Sequence, residues 1–497
     1  MKDKICFGLD AFGKGKILTD FPRSLESEIV VQPEHEGLPV TGIGAQVFFG
    51  RLELEKVVLP DSVSEVGEGA FSMCTELKEI TFSSVKRVLD NGFAGCGRLE
   101  LGGLEGLLYA GRSAFAGCDA ICRADLASLE ELEEGAFRGC EGLKELRVAG
   151  SARIISKDAF RGCKSLVKVT LEPGLKEIGP RAFSRCESLT EIVIPDGVKR
   201  IASQAFAGCR SLASVSLPDS VCELAADAFE GCDSLEYDLF GGAYYLGNDS
   251  NPFAALVEAE DDETESCVLH PDTRMIVGSA FEKCSALKSV TLSGGLIASG
   301  RDAFGGCEEL LANRCGDAMY LASSENPLYA LAASIPDTEV CEIAGGAKIV
   351  AGGAFADMRE LKSVSFPPGL LHIGEQAFSG DSGLKSAVFP DGLLSIGSEA
   401  FENCFKLTEV VLPSSLTYVG KNAFYGCKRL GCVFFKGSSE QWSAACFDGF
   451  DAAARVLFYS EAEPDEKEGF WHYSDGRAVP WIDKRRRGIF SRLFKKA

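Results

Sequence analysis

The chain has 497 residues, 46% of them hydrophobic, and its 73 acidic against 51 basic side chains give a formal net charge of −22. That composition supports a large buried core rather than disorder, and the acidic balance excludes general nucleic-acid binding by the body, because phosphate would be repelled. No run of about 18 apolar residues occurs, so no membrane-spanning helix is expected, and the opening Met1 to Thr19, broken by Asp3, Lys4, Asp10, Lys14 and Lys16, does not read as a secretory signal. The expected location is therefore the cytoplasm, with cell surface or secretion as the alternative if the N-terminus is incomplete.

In chain order, Glu28 to Val31 and then Gly37-Leu38-Pro39-Val40-Thr41-Gly42-Ile43-Gly44 read as a modified first coil, within a capping segment 1–47. A repeat follows over 48–435. One copy is Ala205-Phe206-Ala207-Gly208-Cys209-Arg210-Ser211-Leu212-Ala213-Ser214-Val215-Ser216-Leu217-Pro218. Anchor phenylalanines recur at steps of 23 residues, with three steps of 22 between Phe71 and Phe137. Self-similarity at such a period marks a solenoid, in which one coil cannot bury its own apolar face and stacked coils share a core. Val215 and Leu217 lie two apart, as the inward residues of a strand do. Pro218 has no N–H and ends the ladder. The Ile-Gly pairs Ile178-Gly179, Ile373-Gly374 and Ile396-Gly397 are expected to begin the return side, with glycine permitting a tight bend.

Two anchor steps are long, 52 residues after Phe229 and 51 after Phe304, and point to atypical coils near 240–270 and 316–345. Phe253 and Leu328 are expected to take the phenylalanine slot there. Past Phe435 the pattern decays, although Phe447 keeps the 23-residue step from Phe424. Trp442, Trp471 and Trp481 fall in this last section, 436–483, which is expected to cap the open end of the core. The array so counted has about 17 coils, and at roughly 4.8 Å per coil the sheet would extend on the order of 80 Å.

Twelve of the 20 cysteines stand three residues after an anchor phenylalanine, from Cys74 to Cys427. A residue locked to the repeat phase is a packing position, and Met358 and Asp381 replace it in two copies. Free thiols are expected, since parallel side chains on neighbouring coils give the wrong disulfide dihedral. Four histidines, His35, His270, His372 and His472, lie far apart, and no metal-ligand spacing, nucleophile motif or phosphate loop is present. Neither an enzyme nor a cofactor is expected.

Leu-x-x-Val-x-Leu-Pro, Ile-Gly-x-x-Ala-Phe and Ala-Phe-x-x-Cys-x-x-Leu together resemble the BspA-like leucine-rich repeats, also called the Treponema pallidum type. The leader Gly37 to Gly44 and the ending Phe470-Trp471-His472-Tyr473 to Pro480-Trp481 are similar to that family's ends, so the resemblance covers roughly 28–481. It implies a right-handed solenoid with a parallel sheet on its concave side and short strands or turns on the return side. It also implies a protein-binding scaffold, or an adhesin for host matrix proteins; a monomer is expected.

The candidate binding surface is the outward residue between the inward pair of each strand. Val58, Thr81, Arg147, Thr170, Val193, Ser216, Thr291, Ser365, Val388, Val411 and Phe434 hold that position. Thr and Val suit exposed strands, but the consecutive apolar Val388, Val411 and Phe434 read as a partner site, or as a patch covered by the C-terminal section. A second candidate is the basic tail 484–497. Its Lys484, Arg485, Arg486, Arg487, Arg492, Lys495 and Lys496, with Ile489, Phe490, Leu493 and Phe494 on one helical face, would suit an anionic membrane surface or RNA.

Overall fold

The structure, a computed structural model, describes residues 5–22, 26–260, 263–447, 449–450, 454–464, 469–474 and 477–481. The basic tail therefore lies outside the described residues. The chain divides into two compact units, Met1–Asp238 with Leu246–Ala254, and Leu239–Tyr245 with Ala255–Ala497. Each is a β-solenoid wound from the same three-sided coil.

In the first unit one side is a parallel ladder of short strands. Its members are Glu28–Val30, Lys56–Val58 and Glu79–Ile80, then Arg123–Leu126, Glu145–Val148 and Lys168–Leu171, then Glu191–Val193 and Ser214–Ser216. Alternation decides which residues meet the core: Ile192 is buried and Val193 exposed. A second parallel ladder is two residues wide at most coils, for example Glu65–Val66, Arg87–Val88 and Tyr109–Ala110. The third side holds no strand, but the backbone still bonds from coil to coil. Phe206 N–H donates to the Ala228 carbonyl at 2.8 Å, as Phe48 does to Ala70 at 2.8 Å.

The anchor rings form a continuous stack from Phe48 to Phe229, with neighbouring centroids 4.8 to 5.7 Å apart and planes within 17°. A repeat of one coil spacing puts identical rings in register, and each ring fills the space its neighbours leave. At the start of the stack Phe21 lies 5.4 Å from Phe48. Arg51 covers both rings and donates to the Phe21 and Pro22 carbonyls. The antiparallel pair Cys6–Leu9 and Lys16–Asp20 joins the second ladder alongside Leu38–Ile43.

The glycine after the second-ladder isoleucine is there for a different reason from the bend expected. A Cβ on Gly179 would lie 2.6 Å from the Ile155 carbonyl oxygen, and one on Gly397 2.6 Å from the Glu375 nitrogen. Backbones of adjacent coils touch at this point, and no side chain fits between them. The left-handed conformation falls instead in the turn after the anchor, where Gly208 has φ 74°.

In the second unit the first ladder includes Ser266–Val268 with Ser289–Leu292, Val340–Glu342 with Ser363–Ser365, and Ser386–Val388, Glu409–Leu412, Cys432–Phe435 and Arg455–Tyr459. Ring stacking continues through Phe355, Phe378, Phe401 and Phe424. The ring that follows is Phe450, 4.8 Å from Phe424 with planes 6° apart, rather than Phe447. The intervening helix Ser439–Ala444 adds residues to that coil and shifts the phase. Leu328 does not take a phenylalanine slot either. The segment around it forms an antiparallel pair, Ala318–Ser323 with Ala330–Ser334, and the coil contact skips it: Gly352 N–H donates to the Ser299 carbonyl at 3.0 Å. Phe253 lies in the strand Asn251–Ala259.

The repeating cysteine does more than fill space. Cys209 Sγ donates to the Phe183 carbonyl of the preceding coil at 3.2 Å, and the same bond recurs for Cys74, Cys96, Cys118, Cys140, Cys163, Cys186, Cys232, Cys307, Cys404 and Cys427 at 3.0 to 3.4 Å. The thiol thus ties one coil to the next with a donor small enough for a dry site. Burial pushes the thiol of Cys74 up to about 11 and that of Cys140 up to about 12. The reactive species is the thiolate. Iodoacetamide at pH 8 is therefore expected to alkylate exposed Cys122 in the native protein and to spare Cys74, Cys140 and Cys209 until denaturant is added. Peptide mapping that found Cys209 modified as fast as Cys122 would refute this.

Candidate outward face and the notch beside Ser214–Ser216

The ladder registers place the candidate row as a line across neighbouring strands. In the first unit Val30 faces Val58, Arg147 faces Thr170, and Val193 faces Ser216. In the second, Val268 faces Thr291, Glu342 faces Ser365, and Val388, Val411, Phe434 and Leu457 follow one another. Val193 is 64% exposed and Val388 57%. Thr170 and Ser365 are exposed, and Ser216 and Thr291 half-buried. Two further exposed valines belong to the row and escape the repeat pattern, Val30 at 62% and Val268 at 59%. Val30 sits in the modified first coil and Val268 in an atypical one, so neither has a full motif around it.

Two candidates are not exposed. Val411 and Phe434 are 2% and 3% exposed, covered with Leu457 by Trp471. Trp471 comes from the strand Phe470–Ser474, which pairs with Arg477–Pro480. Its ring meets Phe434 edge-on at 5.3 Å and its Nε1 donates to the Phe435 carbonyl at 3.0 Å. The apolar run reads as a patch already covered. Trp442 meets a different surface, the core rings Phe435 at 5.4 Å and Phe450 at 5.6 Å.

Most charges near the ladder are matched one coil along. Lys56 meets Glu79 at 2.8 Å, Lys78 meets Glu55 at 2.8 Å, and Lys164 meets Glu141 at 2.7 Å. Arg147 reaches both Asp125 and Glu172, at 3.7 and 3.0 Å. The second ladder shows the same in a drier setting, with Arg200 between Glu177 and Glu223 at 2.5 and 3.1 Å. Each such pair is worth little where exposed.

That matching fails beside Ser214–Ser216. Asp238 stands 23 residues after Val215, at the phase of the inward valine. Burying a carboxylate there without a partner is costly, and the ladder stops: Asp238–Phe240 forms a strand of a different sheet, while Ser214–Ser216 pairs with Glu191–Val193 on one side and has no ladder partner on the other among the described residues. Only the ends of this edge are tied. Glu236 N–H donates to the Ala213 carbonyl at 3.1 Å, and Leu217 N–H donates to Gly247 at 2.7 Å. Between them opens a notch of about 590 Å³, lined by Glu191, Val193, Ser214–Ser216, Glu236–Asp238 and the loop Leu246–Asp249 with Pro252.

The loop wall is held rigidly. Asn248 Nδ2 donates to the Leu217 carbonyl at 2.8 Å, while Asn248 Oδ1 accepts from the Ser250 and Asn251 amides, each at 3.0 Å. Gly247 is required, since a Cβ there would meet the Asn251 oxygen at 1.9 Å. The notch holds four exposed carboxylates, those of Glu191, Glu236, Asp238 and Asp249, and no lysine or arginine. The signal for it in the sequence was a polar residue at an inward phase, Asp238. Asn313, 23 residues after Val290, marks the other departure from the repeat.

The chain was compared with known proteins. A model described as the BspA type leucine rich repeat region matches in six copies over 41–164, 130–241, 260–315 and 337–460. No curated protein matches the chain. Among solved structures, a leucine-rich repeat protein from Bacteroides ovatus is 21% identical, covering 92% of this chain and 99% of that one with a TM-score of 0.35. A leucine rich cell surface protein from Faecalibacterium prausnitzii is 25% identical, over 90% and 96%, with a TM-score of 0.36. The T. pallidum leucine rich repeat protein is 26% identical, over 39% and 88%, with a TM-score of 0.34.

Proposed function

The chain belongs to the BspA-type leucine-rich repeat family, and from that premise we propose that it is a non-enzymatic scaffold that binds a protein partner on the outward face of the first ladder. Repeat solenoids present long surfaces of this kind. One observation supports the choice of face. Val30, Val193, Val268 and Val388 hold equivalent outward positions and are 57 to 64% exposed, whereas their apolar counterparts Val411 and Phe434 are covered by the chain itself. Exposed apolar side chains of this kind, in either unit, gain stability when a partner buries them, at about 25 cal/mol per Å².

The test is capture from native lysate with the full chain and with a variant carrying Val30→Ser, Val193→Ser, Val268→Ser and Val388→Ser. These sites are exposed, so the variant is expected to keep the melting temperature. Saturable capture by the parent that falls about tenfold or more with the variant supports the reading. Capture equal for the two, or none that saturates, counts against it.

A further inference from the structure

The notch beside Ser214–Ser216 defines what it accepts more narrowly than the rest of the face. Its strand edge is open for three residues, a length of about 10 Å, and tied at both ends. An open edge is a template for an added strand, with main-chain bonds for affinity and alternate side chains for specificity. Among the described residues its carboxylates make no ion pair, unlike Glu55, Glu79, Glu141 and Glu172 along the ladder. Four like charges around a low-dielectric floor repel one another and favour any ligand that supplies cations. Exposed Val193 adds an apolar surface for the methylene stems of such cations.

We propose that this notch docks a short extended segment of a partner protein that carries arginine or lysine, added as a strand along Ser214–Ser216 with its cationic side chains on Glu191, Glu236, Asp238 and Asp249. This rests on the binding-scaffold reading and adds the chemistry of one contact. An acidic segment is excluded by charge. Alternation would put the segment's basic side chains on the outward face, with their methylene stems over Val193, and its valine-sized residues on the core side beside Val215.

The probe is a fluorescein-labelled heptapeptide alternating arginine and valine, titrated with the full chain and followed by anisotropy. A matched glutamate–valine peptide serves as control. Saturable binding of the arginine peptide alone is expected. It should weaken about tenfold or more with Glu191→Gln, Glu236→Gln, Asp238→Asn and Asp249→Asn combined, at a few tenths of a kcal/mol or more per contact. Neutralising four exposed acids elsewhere in the same unit, Glu68, Glu100, Glu130 and Glu187, should change it less than about threefold. Equal losses from the two variants would mean a diffuse acidic field and overturn the proposal, as would absence of binding or equal binding of the glutamate peptide. A chain ending at residue 483 covers the remaining occupant. Unchanged affinity supports a partner segment, while tighter binding that the notch variant abolishes would make the chain's own basic tail the ligand. If the probe fails while the valine variant still loses its captured protein, the inference falls and the scaffold reading stands.

Discussion

Replacing Asp381 by asparagine or cysteine is expected to stabilise the protein at pH 8, and the gain should disappear on going to pH 4.5. Asp381 occupies the column that cysteine fills elsewhere and is fully buried. Its Oδ1 accepts the Met358 amide at 2.7 Å, and its Oδ2 has no partner among the described residues. Burial pushes its carboxyl up to about 8 from an ordinary value of 3.8, the Met358 amide opposes this, and Asp357 adds to it by repulsion. At this position the cysteines donate to the phenylalanine carbonyl one coil back, as Cys404 does to Phe378 at 3.3 Å. An ionised carboxylate has no proton to give, and the neutral acid does.

The sign follows from proton linkage. The folded protein holds the proton more tightly than the unfolded chain, so the native state is favoured most below the unfolded value of 3.8 and loses stability as pH rises towards 8. An offset of that size corresponds to on the order of 5 kcal/mol across the window. The asparagine keeps the acceptor for Met358 and gains a donor without titrating, and cysteine restores the thiol of the column. Urea midpoints of parent and variant measured from pH 4.5 to 8 isolate the effect, because every other acid cancels in the difference. A difference that stays constant across the range would rule the account out.

Phe206, Cys209, Leu212, Val215 and Leu217 were legible in the sequence because every coil gives each of them the same environment, so the pattern is written many times. What was not legible depends on what happens once. The cysteine column read as packing, and its bond to a carbonyl one coil away was invisible without the register of two backbones. Gly179 read as a bend, although its cause is the neighbouring backbone. Phe447 kept the count, but the helix Ser439–Ala444 moved the stack to Phe450. The surface was least legible of all. Val193 and Val388 could be placed on the outward row by alternation alone, whereas for Val411 and Phe434 the sequence left a partner site and a cover by the C-terminal section both open, because Trp471, which covers them, follows no periodicity. The notch beside Val193 is made by a loop closing over an interrupted ladder, and one polar residue, Asp238, was its only trace.

Removing that cover should have the other large effect. Trp471→Ala is expected to cost about 3–5 kcal/mol in the C-terminal coils, the range for a fully buried large aromatic. Trp471 is 0% exposed, its ring lies 5.1 Å from Tyr459 and 5.0 Å from Tyr473 as well as against Phe434, and its indole N–H is bonded. Truncation leaves the Phe435 carbonyl without that donor and opens Val411, Phe434 and Leu457 to water. In a solenoid each coil rests on its neighbours, so loss of an end contact frays the end first and leaves distant coils intact. Hydrogen exchange should therefore accelerate in Cys432–Phe435 and Arg455–Tyr459 and stay unchanged in Glu191–Val193. Trp471→Phe keeps most of the ring area and loses the N–H, so it should cost nearer 1 kcal/mol. Unaltered exchange in Cys432–Phe435 would mean that the indole does not hold this end. Uniform loss across both units would mean that the array unfolds as a whole. A variant that frays only its end would also expose Val411 and Phe434 beside Val388, lengthening the apolar row, and should capture more protein than the parent through that face.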